Sequence, residues 1–427
     1  MSSTAAPYPS SKMAKRTVNP IRGIVDALNI VPNPEKSMIP LSIGDPTKFG
    51  NFKTPKVFVD ALVRNVHSFE YNGYGHSAGL PATRAAIAKR FSVKSAPLTA
   101  DDVIVASGCS GSLEIVIKAL ASEGENILIP RPGFSLYKTL ALSNGIEVKE
   151  YPLLPEKNWQ VDIDAMEDLI DSNTRAILVN NPSNPCGAVY SEQHLKDILA
   201  VAQRKNLPII ADEIYGEMTF GDNKFFPMAS LTSNVPVLST GGIAKCFLVP
   251  GWRVGWILIH DRNGLLSEVL KGLISLTQLI VGANTLVQSA IPSILDPAEE
   301  DAASIETFHA DTLAQLEGNA SIVYERLKKI EGLTPITPQG AMYVMVKVNV
   351  EMFEDDIDSD MAFSQKLLDD ESVFVLPGQC FGAPNFFRVV FCATAEMLNE
   401  ACDRIEAFCE KKRLKENGTT NKRQRTE

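Results

Sequence analysis

The chain has 427 residues, 45% hydrophobic and 22% charged, a balance that suits a globular protein with a sizeable core and more than one folding unit. Its net charge of −10 leaves no basic excess to neutralise phosphates, which excludes a general nucleic-acid binder. Seven cysteines are scattered with no Cys-x-x-Cys pair, against a zinc site or disulfide framework and for a reducing compartment. In chain order, residues 1–18 carry Ser, Ala, Pro and the bases Lys12, Lys15 and Arg16 and read as a flexible arm. A cytoplasmic location is expected, with a mitochondrial targeting segment as the alternative.

Segment 19–48 is assigned to the smaller of two domains. From 49 to 305 short apolar runs (Val103–Ala106, Asn126–Ile129, Ala176–Val179, Pro208–Ala211, Pro236–Leu238) alternate with helical patterns at Ser112–Ala121, Ser135–Ser143, Ile163–Ile170 and Glu192–Lys205. This alternation predicts an α/β large domain with a mostly parallel, helix-flanked sheet. Gly272–Leu295 carries no charge, yet its Gln278, Asn284, Gln288 and Pro292 favour a buried helix at a subunit interface over a membrane span. Residues 306–412 predict a smaller α+β domain: a helix over Thr312–Ile330, strands near Met342–Val348, Val373–Leu376 and Phe387–Phe391, and a closing helix over Glu396–Lys411. Residues 413–427 read as a disordered basic tail.

In helix-flanked parallel sheets ligands gather beyond the carboxyl ends of the strands. The first such end is Ser107-Gly108-Cys109-Ser110-Gly111-Ser112, small residues opening a helix whose free N–H groups suit a phosphate. Next comes Asn180-Asn181-Pro182-Ser183-Asn184-Pro185, a rigid turn that admits a cis peptide. Ala211-Asp212-Glu213-Ile214-Tyr215 brings a carboxylate to an apolar strand end, either a helix cap or the counter-charge of a bound cation. Finally Lys245 sits among small and apolar residues, followed by Arg253, which has the fork geometry for an anion. An amine, an acid, a guanidinium and a phosphate turn together suit pyridoxal 5'-phosphate.

With NPIRGIVD (19–26), LSIGDPTKFGN (41–51), YNGYGHSAG (71–79), PRPGFSLYKTL (130–140), NNPSNPCG (180–187), GGIAKCFLVPGWRVGWILIHD (241–261), PQGAMYVMV (338–346) and FFRVV (386–390) added, the chain resembles the class I, fold-type I aminotransferases from about Asn19 to Glu410. That resemblance implies a fold-type I pyridoxal-phosphate transferase that passes the amino group of an aromatic L-amino acid, tyrosine or phenylalanine, to 2-oxoglutarate. The products would be 4-hydroxyphenylpyruvate and glutamate, the first step of tyrosine catabolism. The alternatives are a broad-specificity alanine/aromatic aminotransferase, a carbon–sulfur β-lyase and an aminocyclopropane-carboxylate synthase, which use the same cofactor apparatus.

The resemblance also implies roles. Lys245 carries the cofactor covalently and moves the substrate proton, and Asp212 pairs with the pyridinium nitrogen. Tyr215 and Asn184 bond the phenolic oxygen, and Phe134 stacks on the ring. Cys109, Ser110 and Arg253 bind the phosphate, joined by Tyr74 from a neighbouring subunit of a homodimer. Arg388 grips the substrate α-carboxylate beside Gly44 and Asn184. Cys109-Ser110 stands where aspartate-type relatives carry Gly-Thr. No metal, nucleic acid or membrane is expected.

Overall fold

The computed structural model describes residues 8–28 and 30–414. Of the basic tail expected over 413–427, all but Arg413 and Leu414 lies outside the described residues, as do the first seven residues of the arm. Within the arm, Lys12–Arg16 form a helical turn capped by Ser11, and Arg16 pairs with Glu123 at 2.8 Å. Helix Pro20–Ala27 opens where the Asn19 side chain accepts from the Ile21 N–H, with proline at the position that needs no donor. Strand β1 (Ile39–Pro40) follows.

Eight strands make the large sheet: β2 (Val103–Ala106), β3 (Asn126–Arg131), β4 (Glu147–Leu154), β5 (Gln160–Val161), β6 (Thr174–Asn180), β7 (Ile209–Asp212), β8 (Val237–Gly242) and β9 (Gly255–His260). Their order is β2-β9-β8-β7-β6-β3-β4-β5. The pairings from β8 through β7, β6 and β3 to β4 are parallel, whereas β2–β9, β9–β8 and β4–β5 are antiparallel. The sheet is therefore mixed, with the expected parallel centre. Alternate residues of the central strands face opposite layers. Ile177, Val179, Ile209 and Ala211 pack with Leu195 and Ile198 of helix Glu192–Arg204. Leu178, Ile210 and Leu238 pack with Leu113 and Val116 of helix Gly108–Leu120. Each fully buried Ile, Leu or Val contributes roughly 1.5–3 kcal/mol, so a slip by one residue is disfavoured on both faces.

The smaller sheet contains β10 (Leu333–Pro335), β11 (Tyr343–Val348), β13 (Leu376–Pro377) and β14 (Phe386–Val390), antiparallel in the order β10-β11-β14-β13; β12 (Val373–Phe374) pairs in parallel with β1. Phe363 of helix Asp360–Glu371 stacks on Phe387 at 5.3 Å and meets Phe408 of helix Ala395–Lys412 edge-on. Helix Glu299–Leu327 is continuous through residues 305 and 306, where the sequence suggests a division between domains.

One expectation is corrected. The uncharged stretch 272–295 is not one buried helix. Helix Ser267–Thr277 ends before a loop in which Val281 and Gly282 take positive φ, and helices Thr285–Ala290 and Pro292–Leu295 follow. The loop exposes Leu279, Ile280 and Val281. No helix among the described residues is long and apolar enough to cross a membrane.

Candidate active site

A cavity of about 410 Å³ lies beyond the carboxyl ends of the central strands, roofed by helix Pro20–Ala27 and the smaller sheet. Lys245, Asp212, Tyr215, Asn184, Phe134, Cys109, Ser110, Arg253, Arg388 and Gly44 all line it. Tyr74 does not line it; its side chain is 92% exposed.

Asp212 ends β7, in register with Asn180 of β6 and Thr240 of β8. Its carboxylate accepts from the Tyr137 hydroxyl at 2.6 Å, the Ile214 N–H at 3.3 Å and the Cys109 thiol at 3.6 Å. Burial pushes the Asp212 carboxyl up from its ordinary range, while these three donors and the charge of Lys245 pull it down. The Cys109 thiol is held protonated by burial and by the same carboxylate, so it remains a donor.

Lys245 lies in the short helix Ile243–Cys246 that β8 feeds. Its Nζ donates to the Gly44 carbonyl at 2.6 Å and stands 5.8 Å from the Tyr215 ring centre. A Cβ at Gly44 would overlap the Tyr343 hydroxyl, so glycine here lets the Tyr343 ring lie against the backbone. The Tyr215 and Tyr343 hydroxyls lie 2.6 Å apart, and burial pushes Tyr215 well above the ordinary phenol range.

Arg388, in the centre of β14, is 4% exposed. It donates to Asn184 Oδ1 and to the Ser42 carbonyl, each at 2.8 Å, and lies 4.5 Å and 4.6 Å from the Tyr343 and Phe381 ring centres. Its Nε has no partner, and no carboxylate pairs with it among the described residues. Burial draws its pKa down from the usual value, yet a guanidinium stays charged in proteins. A buried, unpaired cation facing a cavity is costly without an anionic ligand.

At the opposite end, helix Gly108–Leu120 points its N-terminus at the cavity with no acidic residue in its first turn. Gly108 has φ +71°, and a Cβ there would stand 2.6 Å from Arg253 Nη2. Gly255 lets β9 press against the Cys109 N–H; a Cβ would overlap that backbone. Arg253 donates to the Pro250 carbonyl at 3.0 Å and the Ser107 carbonyl at 3.3 Å and has no acidic partner among the described residues. Dipole, free N–H groups and guanidinium together make an anion cradle.

Among the described residues Asp212 is the one acid lining the cavity, against Lys245, Arg253, Arg388 and Arg22. This donor set fits a dianionic, ring-bearing cofactor whose nitrogen meets an acid. Among the described residues no cluster of His, Cys, Asp or Glu could hold a metal ion.

The sequence reading gave no role to Tyr137, Tyr343, Asn180, Ser42 and Arg22. Tyr137 and Tyr343 sit inside quoted motifs, but only spacing could have pointed to them: Tyr137 follows Phe134 by three residues, and the two rings meet edge-on at 5.7 Å. Asn180 donates to the Asp212 carbonyl at 3.0 Å and accepts from the Asn184 N–H at 2.7 Å. The peptide bonds preceding Pro132, Pro182 and Pro185 are cis.

The profile of the family described as aminotransferase class I and II matches residues 36–405. Mouse (Mus musculus) tyrosine aminotransferase is 51% identical over 401 residues, 94% of this chain and 87% of the mouse protein. The crystal structure of tyrosine aminotransferase from Leishmania infantum superposes with a TM-score of 0.90 at 38% identity, covering 96% of this chain and all of that one. Alanine aminotransferase from Pyrococcus furiosus gives 0.87 at 32% identity, over 95% of this chain and 100% of the other. A match over most of the length, together with an anion-seeking cavity at the strand ends, leads to one conclusion: the chain belongs to the class I and II aminotransferases.

Proposed function

We propose that this aminotransferase uses pyridoxal 5'-phosphate to convert L-tyrosine and 2-oxoglutarate into 4-hydroxyphenylpyruvate and L-glutamate, the first step of tyrosine catabolism, with phenylalanine as a further donor. Class I aminotransferases of this fold depend on that cofactor. The observation that carries the reading is Arg388, buried without an acid at the edge of the cavity that Lys245 enters.

When bound, the cofactor supplies a reactive carbonyl and an electron-withdrawing ring. Lys245 would hold it covalently, and its amine, when free, would take the proton from the substrate Cα and deliver it to the cofactor's former carbonyl carbon. Asp212 keeps the proton on the pyridine nitrogen, and Tyr137 and Cys109 hold that carboxylate in its acceptor role. Tyr215 and Asn184 would donate to the phenolic oxygen, and Phe134 would cover the ring. The N–H groups of Cys109 and Ser110 and the fork of Arg253 bind the phosphate. Arg388, braced by Asn184, binds the α-carboxylate beside Gly44 and so orients the reacting Cα–H.

Ile21, Val25, Phe374 and Leu376 form an apolar wall that suits an aromatic side chain. Arg22 stands in the same wall without an acidic partner among the described residues and offers a cation to the distal carboxylate of 2-oxoglutarate. A homodimer in the cytoplasm is the form proposed, with the partner subunit's Tyr74 adding a hydroxyl at the phosphate end. The likeness to P. furiosus alanine aminotransferase favours alanine as the donor to compare.

The test is direct. Incubation with 2-oxoglutarate and each donor yields glutamate and the matching oxo acid in equal amounts, with kcat/KM higher for tyrosine than for alanine. Preference for alanine overturns the aromatic reading. Ammonia release from a cysteine conjugate without an oxo-acid acceptor overturns transamination itself.

A further inference from the structure

A second cavity, of about 200 Å³, lies on the other side of the segments that carry Asp212 and Lys245. Neighbouring residues divide between the two spaces: Asp212 and Lys245 line the first, Glu213 and Cys246 the second. Nothing in the transamination scheme uses it.

Its polar groups are under-used. Glu213 accepts from the Met228 N–H at 2.8 Å through Oε1, the Ser239 hydroxyl lies close enough to favour its charged form, and among the described residues no cation pairs with it. The one guanidinium in the lining, Arg90, is already paired with Glu217. The Trp256 indole N–H and the His260 ring make no hydrogen bond among the described residues, and the buried Ser239 hydroxyl has no partner of hydrogen-bond geometry. Burial pulls His260 down to about 4, leaving a neutral imidazole. Gly241 keeps the indole edge clear, since a Cβ there would lie 2.7 Å from Trp256 Nε1. The walls are aromatic: Phe91 lies 5.3 Å from Trp256, and Phe225 closes against Gly216.

A carboxyl without a cationic partner, amid aromatic faces, selects a flat cation, held by the charge-assisted fork and by ring contacts. We propose that this cavity is a second binding site, separate from the transamination site, for a small aromatic amidinium or related planar aromatic cation gripped by Glu213. Arg90 and Glu217 cancel at the rim, so the interior presents one acid and no competing cation.

Benzamidine is the probe, because its fork matches a carboxylate and it lacks the primary alkylamine that reacts with the cofactor. Calorimetric titration of the holoenzyme is expected to show one saturable site. Glu213→Gln should weaken it by on the order of tenfold or more, the range for a charge-assisted hydrogen bond. Val93→Trp, a change at the partly exposed cavity mouth, should abolish binding while far-ultraviolet dichroism and cofactor absorbance stay native. Saturating 4-hydroxyphenylpropionate, a carboxylate shaped for the first cavity, should leave benzamidine affinity unchanged. Absence of saturable binding, unchanged affinity in both variants, or displacement by 4-hydroxyphenylpropionate would each overturn the proposal.

Discussion

Arg388 and Glu213 are both ionisable groups enclosed without an opposite charge among the described residues, and each makes a prediction. For Arg388→Lys the cation survives, but the two-pronged geometry and the brace from Asn184 are lost. Loss of one charge-assisted hydrogen bond corresponds to ~1.5–3 kcal/mol, so kcat/KM for tyrosine should fall by roughly 10- to 100-fold. Steady-state kinetics measure it, and an unchanged value removes Arg388 from the substrate. Glu213 acts on stability. Burial pushes its carboxyl up to about 7 from an ordinary 4.5, opposed by the Met228 N–H and the Ser239 hydroxyl. The folded chain then holds a proton there that the unfolded chain releases earlier. Its contribution is fully present below pH 4.5 and is lost as pH rises through about 7. Glu213→Gln removes this loss, so the variant should gain up to about 3 kcal/mol over the parent by pH 8. Denaturant unfolding at pH 5 and pH 8 checks it; a gap that does not widen with pH contradicts the assignment.

At the scale of elements, the join between β2 and helix Gly108–Leu120 carries the anion cradle. Gly108 takes φ +71° in close contact with Arg253, a conformation that strains a side-chain-bearing residue by about 1–3 kcal/mol. Gly108→Ala should therefore displace the guanidinium and weaken cofactor affinity by roughly 5- to 100-fold, read as the dissociation constant for pyridoxal phosphate. Affinity equal to the parent's would show that the cradle does not depend on this turn. This join was legible in the sequence, because small residues followed an apolar run and preceded a helical pattern. Strand β4 was not. EVKEYPLL opens with three charged residues in four, and its first half is only partly buried, so it lacks the apolar run that marks the inner strands. The loop 278–284 was misread for the opposite reason: it is apolar, but Val281 and Gly282 at positive φ break the helix. Tyr137, Tyr343 and Asn180 were hidden because their roles are contacts across the sequence, 75 residues apart for Tyr137 and Asp212 and 128 for Tyr215 and Tyr343.

For the molecule as a whole, the cavity is assembled from three distant stretches, so the site exists only when both sheets close on helix Pro20–Ala27. Tyr74, Leu279, Ile280 and Val281 are left exposed on the surface, which suits a covering subunit. If Tyr74 serves the partner's cavity, a hybrid of Lys245→Ala and Tyr74→Phe subunits contains one intact site. Mixing the two weakly active variants should then raise activity several-fold above either alone. No gain on mixing contradicts a shared site. The motif set in order along the chain made the family visible before any geometry, whereas the second cavity, built from side chains on separate strands, had no linear signature.

The central claim is that the Lys245 amine is the covalent anchor of the cofactor. Borohydride reduction of the holoenzyme followed by peptide mapping tests it most directly. A pyridoxyl group on Lys245 is the expected result; a label on any other lysine, or none at position 245, contradicts the account.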